Sequence, residues 1–128
     1  MPYVLAALGG VVGALARWGV GTALPGSPGS WPWATLLVNL TGCLLLGALL
    51  AGLATRSPEP PWARPFLGVG VLGGFTTFSA FAVEVVELFE AGAVLTAVGY
   101  VLVSVLGGVL GVAAGALIAR SAVGGPAR

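Results

Sequence analysis

Hydrophobic and polar positions alternate in this chain on a scale of whole helices. Long apolar runs are separated by short polar or proline-rich segments. A hydrocarbon core of ~30 Å takes about 20 apolar residues in helical form. Runs of that length fall at 3–24, 32–54, 66–89 and 93–119. The first break, PGSPGSWPW, is rich in turn formers and carries tryptophans suited to a membrane interface. The second, TRSPEPPWARP, is polar and proline-rich, and the third is only about Glu90-Ala91-Gly92. The tail SAVGGPAR reads as frayed. The pattern predicts an all-α membrane protein of four transmembrane helices, forming one domain over 1–128 with no soluble module. The opening MPYVLAALGGVVGALA has no basic residue ahead of its apolar stretch, unlike a secretory signal, so it is read as a retained first helix.

Within the apolar runs, small and polar residues recur at helical spacing. Gly9 and Gly13 form one small-xxx-small pair, and Gly107, Gly111 and Gly115 a longer series. Such glycines let helices approach closely where lipid offers no hydrophobic drive, so packing is the expected role. The third run contains GGFTTFSAF, residues 73–81, which sets two glycines, three hydroxyls and three phenylalanines in the middle of a hydrophobic stretch. Paired glycines followed by β-branched threonines make a poor helix centre. This predicts a third helix broken mid-membrane, a state tolerated only where the freed backbone is buried in protein or lines a cavity.

Composition narrows the function classes. The chain is 58% hydrophobic and 7% charged, with mean hydropathy +1.07, whereas soluble domains carry about a quarter charged residues. Lys, Asp and His are absent, and five arginines face four glutamates for a net charge of +1. That leaves no basic patch for nucleic acid. Without His or Asp, and with Cys43 as the single cysteine, a disulfide within the chain, a transition-metal site and a hydrolytic triad are all disfavoured. The chain is therefore not expected to be an enzyme. Arg56, Arg64, Arg120 and Arg128 all fall on the side shared by both termini and the second loop. The positive-inside rule then places both termini in the cytoplasm of a multi-pass cell-membrane protein.

Polar residues inside spans are functional candidates because each needs a partner or water. Arg17 costs ~3 kcal/mol near a span centre; it either snorkels to the near interface or stands as a cation at a pore mouth, concentrating anions. Thr35, Asn39 and Cys43 recur at spacing four and share a face. Asn39 serves either an interhelical hydrogen bond or a path. Thr96, Tyr100 and Ser104 recur likewise, and a ladder of hydroxyl donors suits a small, strongly hydrated anion. The alternative, bonding back to the preceding turn, fits Ser and Thr but not Tyr100. Glu87 and Glu90 read as solvated charges, and Glu84 as a deeper one. Phe78 and Phe81, one turn apart, could present positive ring edges to an anion, although spacing alone favours lipid or packing contact.

GGVVGALARW, TLLVNLTGCLLLG and GVLGGFTTFSAF, carried on four short helices, closely resemble the Fluc/CrcB family of fluoride channels. The resemblance covers nearly the whole chain, and GGxTTFSxF behind xVNxxG is its specific part. It implies a fluoride-selective channel for passive export of cytoplasmic fluoride, working as an antiparallel dimer with two pores and a central structural sodium ion (Na+). Residue by residue, it implies the Gly73 and Thr76 carbonyls as sodium ligands, Phe78 and Phe81 as pore rings, and Asn39 as a fluoride donor. Tyr100 and Ser104 would form the polar track, and Arg17 the vestibule cation. Trp18 stands where the family usually has Tyr, Ala80 where it has a second hydroxyl, and Gly108 where a further Ser often extends the track.

Two other classes compete. A proton-coupled multidrug exporter of four helices needs a carboxylate in its first helix, and this one holds only Arg17. A non-transporting assembly subunit would use the same polar residues as packing contacts. Membrane lipid is a partner under every reading. The arginine bias also bears on assembly, since an antiparallel homodimer needs a chain that inserts both ways. Pairing with an oppositely oriented paralogue is expected, with the homodimer as alternative.

Overall fold

The computed structural model describes residues 1–124 and is all-helical over that range. Arg128, counted in the charge bias, lies outside the described residues. Helix α1 spans Pro2–Ala23 and α2 spans Trp33–Ala54. The third run begins as a π-helix over Arg64–Leu72 and continues without interruption into one α-turn, Gly73–Phe75; together these are α3. After two extended residues, α4 runs Phe78–Glu90, and α5 spans Val94–Val123. Four helical segments are long and apolar enough to cross a membrane: Pro2–Ala23, Trp33–Ala54, Arg64–Glu90 and Val94–Val123.

Two differences from the sequence reading have local causes. Helix α5 continues through Ser121–Val123, which had read as frayed tail. There the Ser121 hydroxyl donates to the Leu117 and Ile118 carbonyls, and Arg120 in the last turn complements the helix dipole. The π-helical winding of α3 was not anticipated. The Gly73 amide still reaches five residues back to the Gly68 carbonyl, as well as bonding Gly70.

The tight connection between α4 and α5 is a Schellman turn. Gly92 sits at φ +73°, its amide bonds the Phe89 carbonyl, and the Ala93 amide bonds Leu88. Only glycine takes that conformation without strain, so the chain reverses there within three residues.

Backbone-on-backbone packing holds the helices in two pairs, α1 with α3 and α2 with α5. A Cβ on Gly9 would collide with the Phe66 carbonyl and one on Gly13 with the Val71 carbonyl. Between α2 and α5, Gly47 lies against the Val112 carbonyl and Gly115 against that of Leu44. Gly107 and Gly111 approach less closely, meeting the Leu40 side chain and the Cys43 Cβ. A small buried core of Leu36, Leu88, Ala97 and Tyr100 gathers where α2, α4 and α5 meet, flanked by Trp31 and Phe81. Most other large apolar side chains face outward, as a lipid-facing bundle requires.

Candidate ion path at the helix break

The interruption between α3 and α4 falls on Thr76 and Thr77, whose ψ angles of 156° and 124° are extended. The sequence reading placed the break on the glycines and threonines together; the threonines carry it, and Gly73 and Gly74 are helical. Gly74 is small for a different reason, since a Cβ there would strike the Gly10 carbonyl of α1. Thr76 ends α3 and Thr77 opens α4, and of the two only Thr77 has its amide diverted from the helical ladder. The Thr76 hydroxyl and amide both donate to the Leu72 carbonyl, at 2.9 Å. The Thr77 hydroxyl accepts from the Ala80 amide and so caps the N-terminus of α4.

Side chains from two other helices hold the break open. Asn39 on α2 forms a two-point pair with the Thr77 backbone: Nδ2 donates to the Thr77 carbonyl and Oδ1 accepts from the Thr77 amide, both at 2.8 Å. Arg17 on α1 donates through Nε to the Gly74 carbonyl at 3.2 Å. The consequences for the backbone are specific. In an unbroken helix the Thr77 amide would bond the Gly73 carbonyl, and the Ala80 amide that of Thr76. Both amides are diverted, to Asn39 and to the Thr77 hydroxyl. The Gly73 and Thr76 carbonyls thus lose their helical donors.

Beyond the break, Phe78 is 80% exposed and Phe81 is half-buried. Their ring centroids are 5.8 Å apart, a packing distance, so within one chain the rings form one wall and leave no gap between them. Phe81 in turn lies 5.2 Å from the ring of Tyr100, which is fully buried. Trp31 meets Tyr100 edge-on from the other side, at 6.2 Å, with its indole Nε1 buried and unpartnered.

Glu84 ties this end together. Its Oε1 accepts from the Thr35 hydroxyl and its Oε2 from the Tyr100 hydroxyl, each at 2.6 Å. One carboxylate therefore links α2, α4 and α5. The sequence reading left Glu84 out of the site. The signal available was its position one turn beyond Phe81, on the face that meets Tyr100. Glu87 and Glu90 are exposed, in keeping with solvated charge. Among the described residues neither Thr96 nor Ser104 bonds back to its own helix, whereas Thr22, Thr55, Thr76 and Ser121 do. Ser104 has no hydrogen bond to Asn39 or Tyr100, so the structure does not join it to the Glu84 cluster.

Two cavities flank the cluster. One of about 800 Å³ lies under the first loop and is bordered by Trp31, Glu84, Glu87 and Glu90. The other, of about 380 Å³, is bordered by Arg17, Thr22, Thr35 and Thr77. The Thr35–Glu84 hydrogen bond joins the wall of one to the wall of the other. Among the described residues no cluster of acidic, Cys or His side chains could hold a metal ion.

Residues 4–116 match the family model described as "CrcB-like protein, Camphor Resistance (CrcB)". The chain belongs to the CrcB family. It is 46% identical to the "Fluoride-specific ion channel FluC 2" of Nocardia farcinica, over 99% of this chain and 92% of that protein. Similarity to the "Fluoride-specific ion channel FluC" of Rhodospirillum centenum is 48% identity over 96% and 99% of the two chains. With the protein of that name from Paracoccus denitrificans it is 45%, over 92% and 94%. In this CrcB-family chain the matched region contains every residue of the break and of the Glu84 cluster.

Proposed function

We propose that this multi-pass membrane protein is a fluoride-selective channel, not an enzyme, through which cytoplasmic fluoride leaves passively down its gradient. The observation that carries the reading is the pair of hydroxyls, Thr35 and Tyr100, held on Glu84 beside Phe81. Short bonds from hydroxyls to a carboxylate are charge-assisted. Donors arranged for one small, hard anionic oxygen suit another small, hard anion. Fluoride entering the track takes a donor that Glu84 holds at rest, exchanging hydration water for protein hydroxyls. The ring edge of Phe81 favours the anion without trapping it. Asn39 keeps one Nδ2 hydrogen beyond its bond to Thr77 and can offer it to the ion. Ser104 continues the path on α5, and the free guanidinium face of Arg17 concentrates anions at the 380 Å³ vestibule.

The working unit in this reading is an antiparallel dimer with two pores. Phe78 accords with it, since a ring 80% exposed at the break is free to meet a second chain. The donor-poor Gly73 and Thr76 carbonyls fit a sodium ion, a hard cation that takes oxygen ligands. When bound, the ion offsets partial negative charge where the helices of two chains meet. The arginine bias supports cytoplasmic termini, and with them an oppositely oriented paralogue as partner, the homodimer being the alternative. Reconstitution in liposomes, with fluoride and chloride electrodes, tests the function. Fluoride efflux far above chloride efflux supports it, and no fluoride flux, alone or with a paralogue, overturns it.

A further inference from the structure

The hydrogen bond from Arg17 is made by Nε, not by the terminal nitrogens. Nε reaches the Gly74 carbonyl at 3.2 Å; among the described residues the terminal nitrogens make no hydrogen bond or ion pair, and Arg17 borders the 380 Å³ cavity. Gly74 is the next-to-last residue of α3, where carbonyls carry the negative end of the helix dipole and lack intrahelical donors. It also lies between Gly73 and Thr76, whose carbonyls have lost their donors. From these positions we infer that Arg17 is a positioning residue for that carbonyl pair. Its Nε fastens the end of α3 in the broken conformation, while its charge stands at the border of the vestibule. One guanidinium thus does two separable things, and the second does not require the first.

The inference deepens the sodium part of the proposed function and rests on it only for its sodium readout. The two roles separate by side-chain length. Glutamine places its amide nitrogen at the same remove from the backbone as the arginine Nε, without charge and without terminal nitrogens. Lysine keeps the charge but has no donor at that position. Methionine has neither.

The test uses the purified full-length channel in Arg17→Met, Arg17→Gln and Arg17→Lys forms. Two quantities are read: amide hydrogen exchange of Thr76 and Thr77, and the sodium concentration that half-saturates thermal stabilisation. Loss of one hydrogen bond from a charged donor should speed exchange at both amides about tenfold in Arg17→Met and raise half-saturating sodium by a similar factor. Arg17→Gln should bring both back close to wild type while fluoride flux stays low. Arg17→Lys should lie nearer to Met than to Gln in exchange. Unchanged exchange in Arg17→Met overturns the inference. So does Arg17→Lys holding the break as well as Arg17→Gln, a comparison that survives if the methionine form does not fold. A wild type whose stability ignores sodium would remove the sodium proposal, and the exchange data would still decide the role of Arg17.

Discussion

Tyr100 donates its hydroxyl to Glu84 Oε2 at 2.6 Å from a residue with no exposed surface, so a polar bond is made at the largest fully buried side chain among the described residues. Buried hydroxyls of this kind are costly to leave unpaired. Glu84 satisfies Tyr100 and Thr35 together, and the pair of donors persists only while α2, α4 and α5 keep their relative positions.

Tyr100→Phe retains the ring against Phe81 and Trp31 and removes only the donor. Fluoride efflux should fall by about tenfold or more, and the lost bond to a carboxylate should cost about 1.5–3 kcal/mol of stability. Flux through reconstituted protein, read beside its melting curve, checks both. Flux at the wild-type level would separate Tyr100 from the path.

Asn39→Asp removes the donor to the Thr77 carbonyl and sets a carboxylate against it. Conduction should be lost, and exchange at the Thr77 amide should change because its acceptor has become charged. Asn39→Asp with unchanged conduction and exchange would contradict the two-point pair.

On α2, Gly47→Ala and Gly52→Ala should part company. A Cβ at 47 meets the Val112 backbone of α5, and one at 52 meets nothing within 4 Å. The first should abolish well-folded protein or cost several kcal/mol, since neither backbone can yield; the second should be neutral to slightly stabilising, as Ala exceeds Gly in helix propensity by about 1 kcal/mol. Size-exclusion profiles and thermal melts of the two variants read the difference.

Phe78→Ala takes away a ring that has 80% of its surface exposed and makes little internal packing. The single chain should fold as before. In the proposed dimer the lost wall belongs to a pore completed by a second chain, so fluoride flux should drop sharply. Normal flux in this variant would mark Phe78 as a lipid-facing ring.

The helices were legible because each apolar run alone nearly fills a bilayer, and loop composition marks their ends to within a few residues. Close packing at Gly9 and Gly13 was legible from spacing for the same reason: four residues return to the same face. What could not be read depends on which faces meet. Glu84 read as a deeper charge than Glu87 and Glu90 but without a role until α2 and α5 set Thr35 and Tyr100 against it. The glycines and threonines of GGFTTFSAF looked like joint helix breakers, yet Gly73 and Gly74 remain helical, and a Cβ at Gly74 would strike the Gly10 carbonyl of α1. The threonines break the helix because Asn39, thirty-eight residues earlier in sequence, takes both backbone groups of Thr77. Arg17 invited a reading as an exposed cation; its bond through Nε became visible only with Gly74 in place.

The most direct test is voltage-driven efflux from liposomes loaded with potassium fluoride, with no pH gradient, after addition of a potassium ionophore. Rapid fluoride release that needs no proton gradient, slowed at least about tenfold by Tyr100→Phe, is the result expected of a passive path through the Glu84 cluster. Fluoride release that requires a proton gradient, or none from the chain alone or with a paralogue, would contradict it.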